Sequence, residues 1–253
     1  MGLMRSDIWQ RGSLVANAYL DAGKKTLLET LWPTRCVLCE APGQLVCEQC
    51  RMSLCYIDQC LACPRCGAPH GFVQCTECNE LSLVDAGRKC LPFEACVSVT
   101  LFDRNSARIV TCHKDGGERG LADVMGYGIA CAIPPEWMTP SACVVALPAT
   151  QHAKRKRGFD HGLAIGQSVA GYLGLDCLQV LQAGRARDQR ALSREQRFRN
   201  MEGRFVAQTE CKGMDAILID DVYTTGASLC AASDALKDAG ADSVRCGTFA
   251  HVY

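Results

Sequence analysis

Apolar and polar positions over the last two thirds of the chain alternate between short apolar runs and longer helical stretches. Residues 95–102 (ACVSVTLF), 142–148 (ACVVALP), 214–221 (MDAILIDD) and 243–252 (SVRCGTFAHV) are short and rich in aliphatic and β-branched side chains, which predicts strands. Residues 118–133, 161–174 and 225–240 between them read as helices. Strands alternating with helices predict parallel pairing in an α/β sheet. Upstream the pattern changes twice. Residues 6–32 read as one or two helices, with Leu14, Leu20, Leu27, Leu28 and Leu31 loosely on one face. Docking on the main domain is the plain reading of that face; lying on a membrane surface is the other. Residues 36–80 are turn-rich and show no helical period. The predicted organisation is therefore a helical segment over 1–33, a cysteine-rich domain over 34–82 and an α/β domain over 90–253.

Cysteine changes the picture most. The chain of 253 residues holds 19 cysteines, and ten of them lie between Cys36 and Cys78. Charged residues between Arg5 and Glu29 interrupt any apolar core that a secretory leader would need. The expected setting is a reducing cytoplasm, where clustered cysteines point to metal rather than disulfides. Cys36-x-x-Cys39 is followed by Cys47-x-x-Cys50, and Cys63-x-x-Cys66 by Cys75-x-x-Cys78. Each CxxC turn offers two thiolates to one tetrahedral ion, and two turns close a structural shell with no position open to substrate. Two zinc ions are expected, with sequential pairing the simplest arrangement and crossed pairing also open. Cys55 and Cys60 stand outside these knuckles and read as buried packing or chance occurrences. Lys plus Arg and Asp plus Glu both total 27, so bulk charge does not favour coating nucleic acid, although a local basic patch remains open. No apolar run is long enough to span a bilayer, so no membrane insertion is expected.

The most informative stretch is AILIDDVYTTGAS, residues 216–228. An aliphatic strand ends in Asp220 and Asp221, and a short loop then opens a helix. Unpaired amides and the dipole at a helix N-terminus favour a phosphate. The small residues from Thr224 through Thr225, Gly226 and Ala227 to Ser228 let the backbone close around it. Two carboxylates at the C-terminal end of a strand sit where open α/β sheets bind ligands, and their oxygens suit the vicinal hydroxyls of a ribose.

This stretch resembles the phosphoribosyl-pyrophosphate (PRPP) signature of type I phosphoribosyltransferases. With the paired zinc knuckles in front, nearly all of residues 30–253 resembles the ComF family, also called ComFC or competence protein F. Leu147-Pro148, the run Arg157-Gly158-Phe159-Asp160-His161 and the arginine-rich segment 185–205 also match. Where the family commonly carries Asn-Gln, this chain has Asp160-His161. The resemblance implies a type I phosphoribosyltransferase-like parallel sheet flanked by helices, preceded by a small double zinc ribbon. It implies that Asp220 and Asp221 hold the ribose hydroxyls, directly or through magnesium. It implies that Thr224 to Ser228 bind the 5-phosphate, and that Pro148, Ala149 and Thr150 belong to the pyrophosphate loop. Purine-salvage members often carry an Asp where this chain has Thr224, which argues against standard purine chemistry.

Lys154 to Arg157 and the segment 185–204 are basic. Arg155, Arg157, Arg194 and Arg197 are the candidate anion contacts, since guanidinium binds phosphate bidentately. Three readings stay open for the segment: a loop closing over pyrophosphate, a single-stranded nucleic-acid track with Phe159, Phe198 or Phe205 for stacking, or a solvated helix. His113-Lys114 beside Gly116-Gly117 reads either as a loop facing the ligand or as plain surface. His152 and His161 have the pKa for acid–base work, but each reads first as a surface residue or one that supports others from behind. The function expected from the resemblance is a PRPP-binding protein of DNA uptake, natural competence or DNA utilisation, with single-stranded DNA and other competence or helicase proteins as candidate partners. The alternative is an active magnesium-dependent phosphoribosyltransferase of nucleotide metabolism, whose acceptor displaces pyrophosphate from the anomeric carbon. A zinc-stapled interaction protein with a vestigial site is the third.

Overall fold

The computed structural model describes residues 33–184, 198, 201 and 203–253. The predicted helix over 6–32 and most of the basic segment, Arg194 and Arg197 included, lie outside the described residues. The chain divides into two compact units between Arg51 and Met52.

In the first unit, the chain folds back at Cys36–Cys39. Gly43 donates its amide to Thr34 and Cys36 to Ala41, so one turn sits inside another. Helix α1 (Glu48–Met52) begins between the last two cysteines of the first cluster, Cys47 and Cys50.

In the second unit, α2 (Glu80–Asp85) follows the second set of cysteines. Strand β1 (Ala95–Leu101), helix α3 (Arg104–Lys114), helix α4 (Leu121–Ala132) and strand β2 (Ala142–Ala146) come next. Helices α5 (Gln151–Arg157) and α6 (His161–Leu173), strand β3 (Cys177–Leu178) and the short antiparallel pair β4 (Leu181–Ala183) and β5 (Phe205–Ala207) follow. Strand β6 (Asp215–Tyr223), helix α7 (Ala227–Asp238) and strand β7 (Ser243–His251) complete the unit. The five-stranded sheet has the order β1-β7-β6-β2-β3, and every pairing in it is parallel.

Successive side chains of a strand point to opposite faces, and the core follows that period. Val145, Leu218, Val244 and Cys246 pack in one core with Leu229, Ala232 and Leu236 of α7. Helices α4 and α6 pack against each other, α4 also on β1 and β7 and α6 on β2 and β6. Gly166 of α6 has no room for a Cβ, which would come 2.7 Å from Cβ of Ala146. Burying the aliphatic runs of β2 and β6 on both faces explains why they read as continuous apolar stretches rather than alternating ones.

Chain order reverses between β2 and β6. After β2 the chain runs out to the edge strand β3, then returns to the other side of β2 as β6. The two neighbouring strands release their loops at the same C-terminal edge, where Leu147 donates its amide to Ile219 at 2.9 Å. Such a switch point opens a crevice between the loops.

Two local expectations shift. The central strand does not stop at the acid pair: it runs through Tyr223, because Val222 and Tyr223 still pair with Ala250 and His251 of the long β7. His113 and Lys114 are the last residues of α3 rather than a loop. Asp103 and Ser106 start that helix with reciprocal side-chain-to-backbone bonds, a capping box that fixes its register.

Candidate functional site

The acid pair sits at the crevice. Asp221 is only 3% exposed, and Asp220 is half-buried beside it. The amide of Asp221 donates to Oδ1 of Asp220 at 2.9 Å. Two helix ends approach Asp221. Lys114, at the C-terminal end of α3, forms an ion pair with its Oδ2. His161, the first residue of α6, places Nε2 at 3.9 Å from the same oxygen. Arg157 donates from Nη1 to Nδ1 of His161 at 3.2 Å, so Nδ1 offers its lone pair and the ring hydrogen sits on Nε2, facing Asp221.

Charge and burial set the protonation of this cluster. Burial pushes Asp220 well above the usual carboxylate range, and the charge of Asp221 adds to that. Burial works the same way on Asp221, but the Lys114 ammonium, then His161, outweigh it and hold this carboxyl low. Lys114 is held charged, because Asp221 and Asp220 overcome its burial. Burial first, then Lys114 and Arg157, keeps His161 neutral with a pKa of about 4.

After Tyr223 the chain turns through Thr224, Thr225 and Gly226 into α7. Gly226 adopts a φ of +76°, open to glycine and costly to other residues. A Cβ there would come 2.4 Å from Oη of Tyr223, so the loop lies directly on that ring. No side chain caps this helix, and its first amides are left for something else.

The loop after β2 is organised by a residue that the sequence reading set aside. Asp160 caps α6 by accepting from Leu163 at 3.2 Å. It also accepts from the amide of Ala149 at 3.4 Å and pairs with Lys154 at 2.6 Å. One carboxylate thus holds the Pro148–Thr150 loop, the basic helix α5 and the start of α6 together. Gly162 lets α6 begin hard against β2, since a Cβ there would lie 2.2 Å from the carbonyl oxygen of Leu147.

A cavity of about 610 Å³ adjoins Lys114 and is lined by Asp115, Gly116, Gly117, Lys156 and Arg157 as well. Three cations face one carboxylate, and Arg157 shares itself between Asp115 at 3.1 Å and His161. Arg155 lies exposed on α5. Of the basic segment, Arg204 is described: burial lowers its pKa, the charge of Asp220 opposes that, and its guanidinium stands 5.9 Å from the Phe205 ring.

Each set of four cysteines forms one group, with sequential pairing and all four sulfurs within 4.8 Å of one another. Sγ separations of 3.6 Å for Cys39–Cys47, 3.6 Å for Cys63–Cys78 and 3.5 Å for Cys66–Cys75 are close to the edge of a zinc tetrahedron, about 3.8 Å for bonds of ~2.3 Å. Both donor sets fit zinc.

The switch-point crevice, its acid pair and the glycine turn into α7 define the class: residues 161–252 match the model of the phosphoribosyl transferase domain. The chain is also 24% identical over 225 residues to the DNA utilization protein YhgH of Salmonella typhi, covering 84% of this chain and 95% of that protein. The YhgH proteins of Escherichia coli strain K12, at 24% identity, and Shigella flexneri, at 23%, match over the same shares. Two four-cysteine clusters lie ahead of the residues that match the phosphoribosyl transferase domain, the arrangement that the resemblance to the ComF family implies.

Lys114 and His161 are the site residues that the sequence left undecided. Both come to Asp221 through tertiary packing of α3 and α6. The usable signal for His161 was the Asp before it, a helix-capping residue three positions ahead of Leu163.

Proposed function

We propose that the crevice binds PRPP with magnesium and that the protein serves DNA utilisation or uptake in the cytoplasm. The observation that carries the ligand is the buried pair Asp220–Asp221 beside an uncapped helix N-terminus at the switch point. In this reading Asp220 and Asp221 take the ribose hydroxyls and the hard magnesium ion, which prefers oxygen donors. Thr224, Thr225, Gly226, Ala227 and Ser228 take the 5-phosphate. Pro148, Ala149 and Thr150, with Lys114, Lys156 and Arg157 across the cationic cavity, take the pyrophosphate.

The Lys114 ammonium already neutralises Asp221, so a magnesium–PRPP complex must displace it. Freed, Lys114 faces the cationic cavity and adds a charge-assisted bond to the pyrophosphate. The name of the YhgH relatives supports the DNA-utilisation part. Single-stranded DNA along Arg155, Arg194 and Arg197, and other competence or helicase proteins, are the partners this reading predicts. The two clusters hold zinc in a double ribbon over 34–82. No helix among the described residues is long and apolar enough to cross a membrane.

Calorimetry with PRPP and magnesium tests the ligand. Wild type is expected to bind in the micromolar range, about 8 kcal/mol, and an Asp220→Asn/Asp221→Asn double variant to lose that heat. Absence of binding by folded, zinc-loaded wild type overturns the reading. Release of pyrophosphate on adding nucleoside bases or other acceptors would favour the active transferase over a binding protein.

A further inference from the structure

The second cysteine cluster is built into the same core as the loop that follows the acid pair. Cys63, Cys66 and Cys78 share one apolar cluster with Cys96 of β1, Cys246 of β7, Tyr223 of β6, and Ala227, Leu229 and Cys230 of α7. The contacts form a continuous path. Gly67, the residue after Cys66, would place a Cβ 2.9 Å from the carbonyl oxygen of Cys96 and 3.4 Å from Oγ of Ser98, so the knuckle rests on β1 itself. Gln59, ahead of the cluster, donates to the carbonyl of Ser98 at 2.8 Å. Ser98 Oγ bonds Thr248 at 2.8 Å and Nδ1 of His251 at 3.3 Å. The His251 ring stacks on Tyr223 with centroids 4.4 Å apart and planes 9° from parallel. Tyr223 Oη in turn lies directly under Gly226.

We propose that Tyr223 and His251 are positioning residues that couple the metal state of the second cluster to the shape of the 224–228 loop. The assignment of that loop to phosphate rests on the function proposed above; the coupling itself does not. Nε2 of His251 is buried and without a hydrogen-bond partner among the described residues, so Ser98 on one side and the Tyr223 ring on the other set where the imidazole sits. Four thiolates closed on a metal fix the Cys63–Cys66 knuckle against β1. Without the metal the sulfurs take up protons and nothing bridges them, the knuckle loosens, and the platform under Gly226 loses its lower support. Coupling of this kind is reciprocal: a ligand that fixes the loop must also tighten the metal in the second cluster.

Hydrogen exchange of the amides in 224–229 tests it on the full chain. Cys75→Ser opens the second cluster at its least buried cysteine, Cys50→Ser opens the first, and Tyr223→Leu removes the stack while leaving all eight ligands. Exchange is expected to rise at least fivefold in Cys75→Ser and Tyr223→Leu, and to stay within twofold of wild type in Cys50→Ser and in the conservative Tyr223→Phe. Bound zinc should fall only in the two cysteine variants. Should Cys75→Ser fail to fold, Tyr223→Leu decides, together with the rate at which a zinc-binding dye strips its second cluster. Unchanged exchange in Tyr223→Leu, with the dye stripping zinc at the wild-type rate, overturns the coupling. PRPP calorimetry on wild type separates the two ideas: no binding with zinc-dependent loop protection sinks the phosphate assignment, while binding with zinc-independent protection sinks the coupling.

Discussion

Cys36, Cys39, Cys47 and Cys50 have the same chemistry and nearly the same spacing as Cys63, Cys66, Cys75 and Cys78, but not the same surroundings. In the first cluster only Cys36 is buried, and Cys39 is exposed. In the second, three of the four are buried, and they belong to the main core of their unit. The contrast teaches that one motif can do two jobs. A short, aliphatic-poor segment such as 33–51 has little to fold around except its ion, and structural zinc supplies roughly 10–16 kcal/mol. The second cluster has a sheet to lean on, so an ion held there would also bear on how that sheet is covered. Four experiments can break or sharpen the contrast.

The largest effect is expected from Cys66→Ser, at the fully buried cysteine of the second cluster. Urea unfolding of the unit 52–253 should lose several kcal/mol or its cooperativity, whereas Cys39→Ser should remove one zinc and leave that transition in place. Equal losses in both variants would erase the distinction. Next is Gly226→Ala, which meets both a φ of +76° and the Tyr223 hydroxyl. It should weaken PRPP at least tenfold by calorimetry while zinc content stays at wild-type level. A smaller effect is expected from Arg88→Ala, which breaks the 2.7 Å pair to Asp234 tying the end of α2 to α7. Both side chains are partly exposed, so the cost should be no more than about 1 kcal/mol in urea unfolding.

The fourth variant, read through its pH dependence, is Asp215→Asn at the start of β6. Ser243, then Thr139 and Ser141, hold this carboxyl at about 2. A carboxyl depressed in the folded state contributes stability above its unfolded pKa of about 3.9, and that share is lost as pH falls towards 2. Acid titration of the variant should start from a lower stability and fall less steeply below pH 4.

The sequence made the repeating strands and helices legible because burial on two faces leaves long aliphatic runs. The cysteine clusters were legible because ligand spacing is local. Helix α3 was not: RNSARIVTCHK places Ser106, Ile109, Val110 and His113 inward, and two of those four are polar. Basic α5 buries nothing and carries no periodic signal at all. Asp220 and Asp221 stood out as a pair, but not which of them is charged. That depends on Lys114 arriving from a helix that begins more than a hundred residues earlier in the chain.

The register of β1 also bears on the order in which the protein can be made. Its partner in the sheet is β7, with Ala95 opposite Arg245 and Leu101 opposite His251. A strand translated before the middle of the chain therefore waits, unpaired along its edge, until about 150 residues more have left the ribosome. The cysteines just ahead of it wait as well, since the strand they rest against is not yet held. Loading the second cluster in the nascent chain thus becomes a late step, open to competition from oxidants and wrong metals for as long as synthesis lasts.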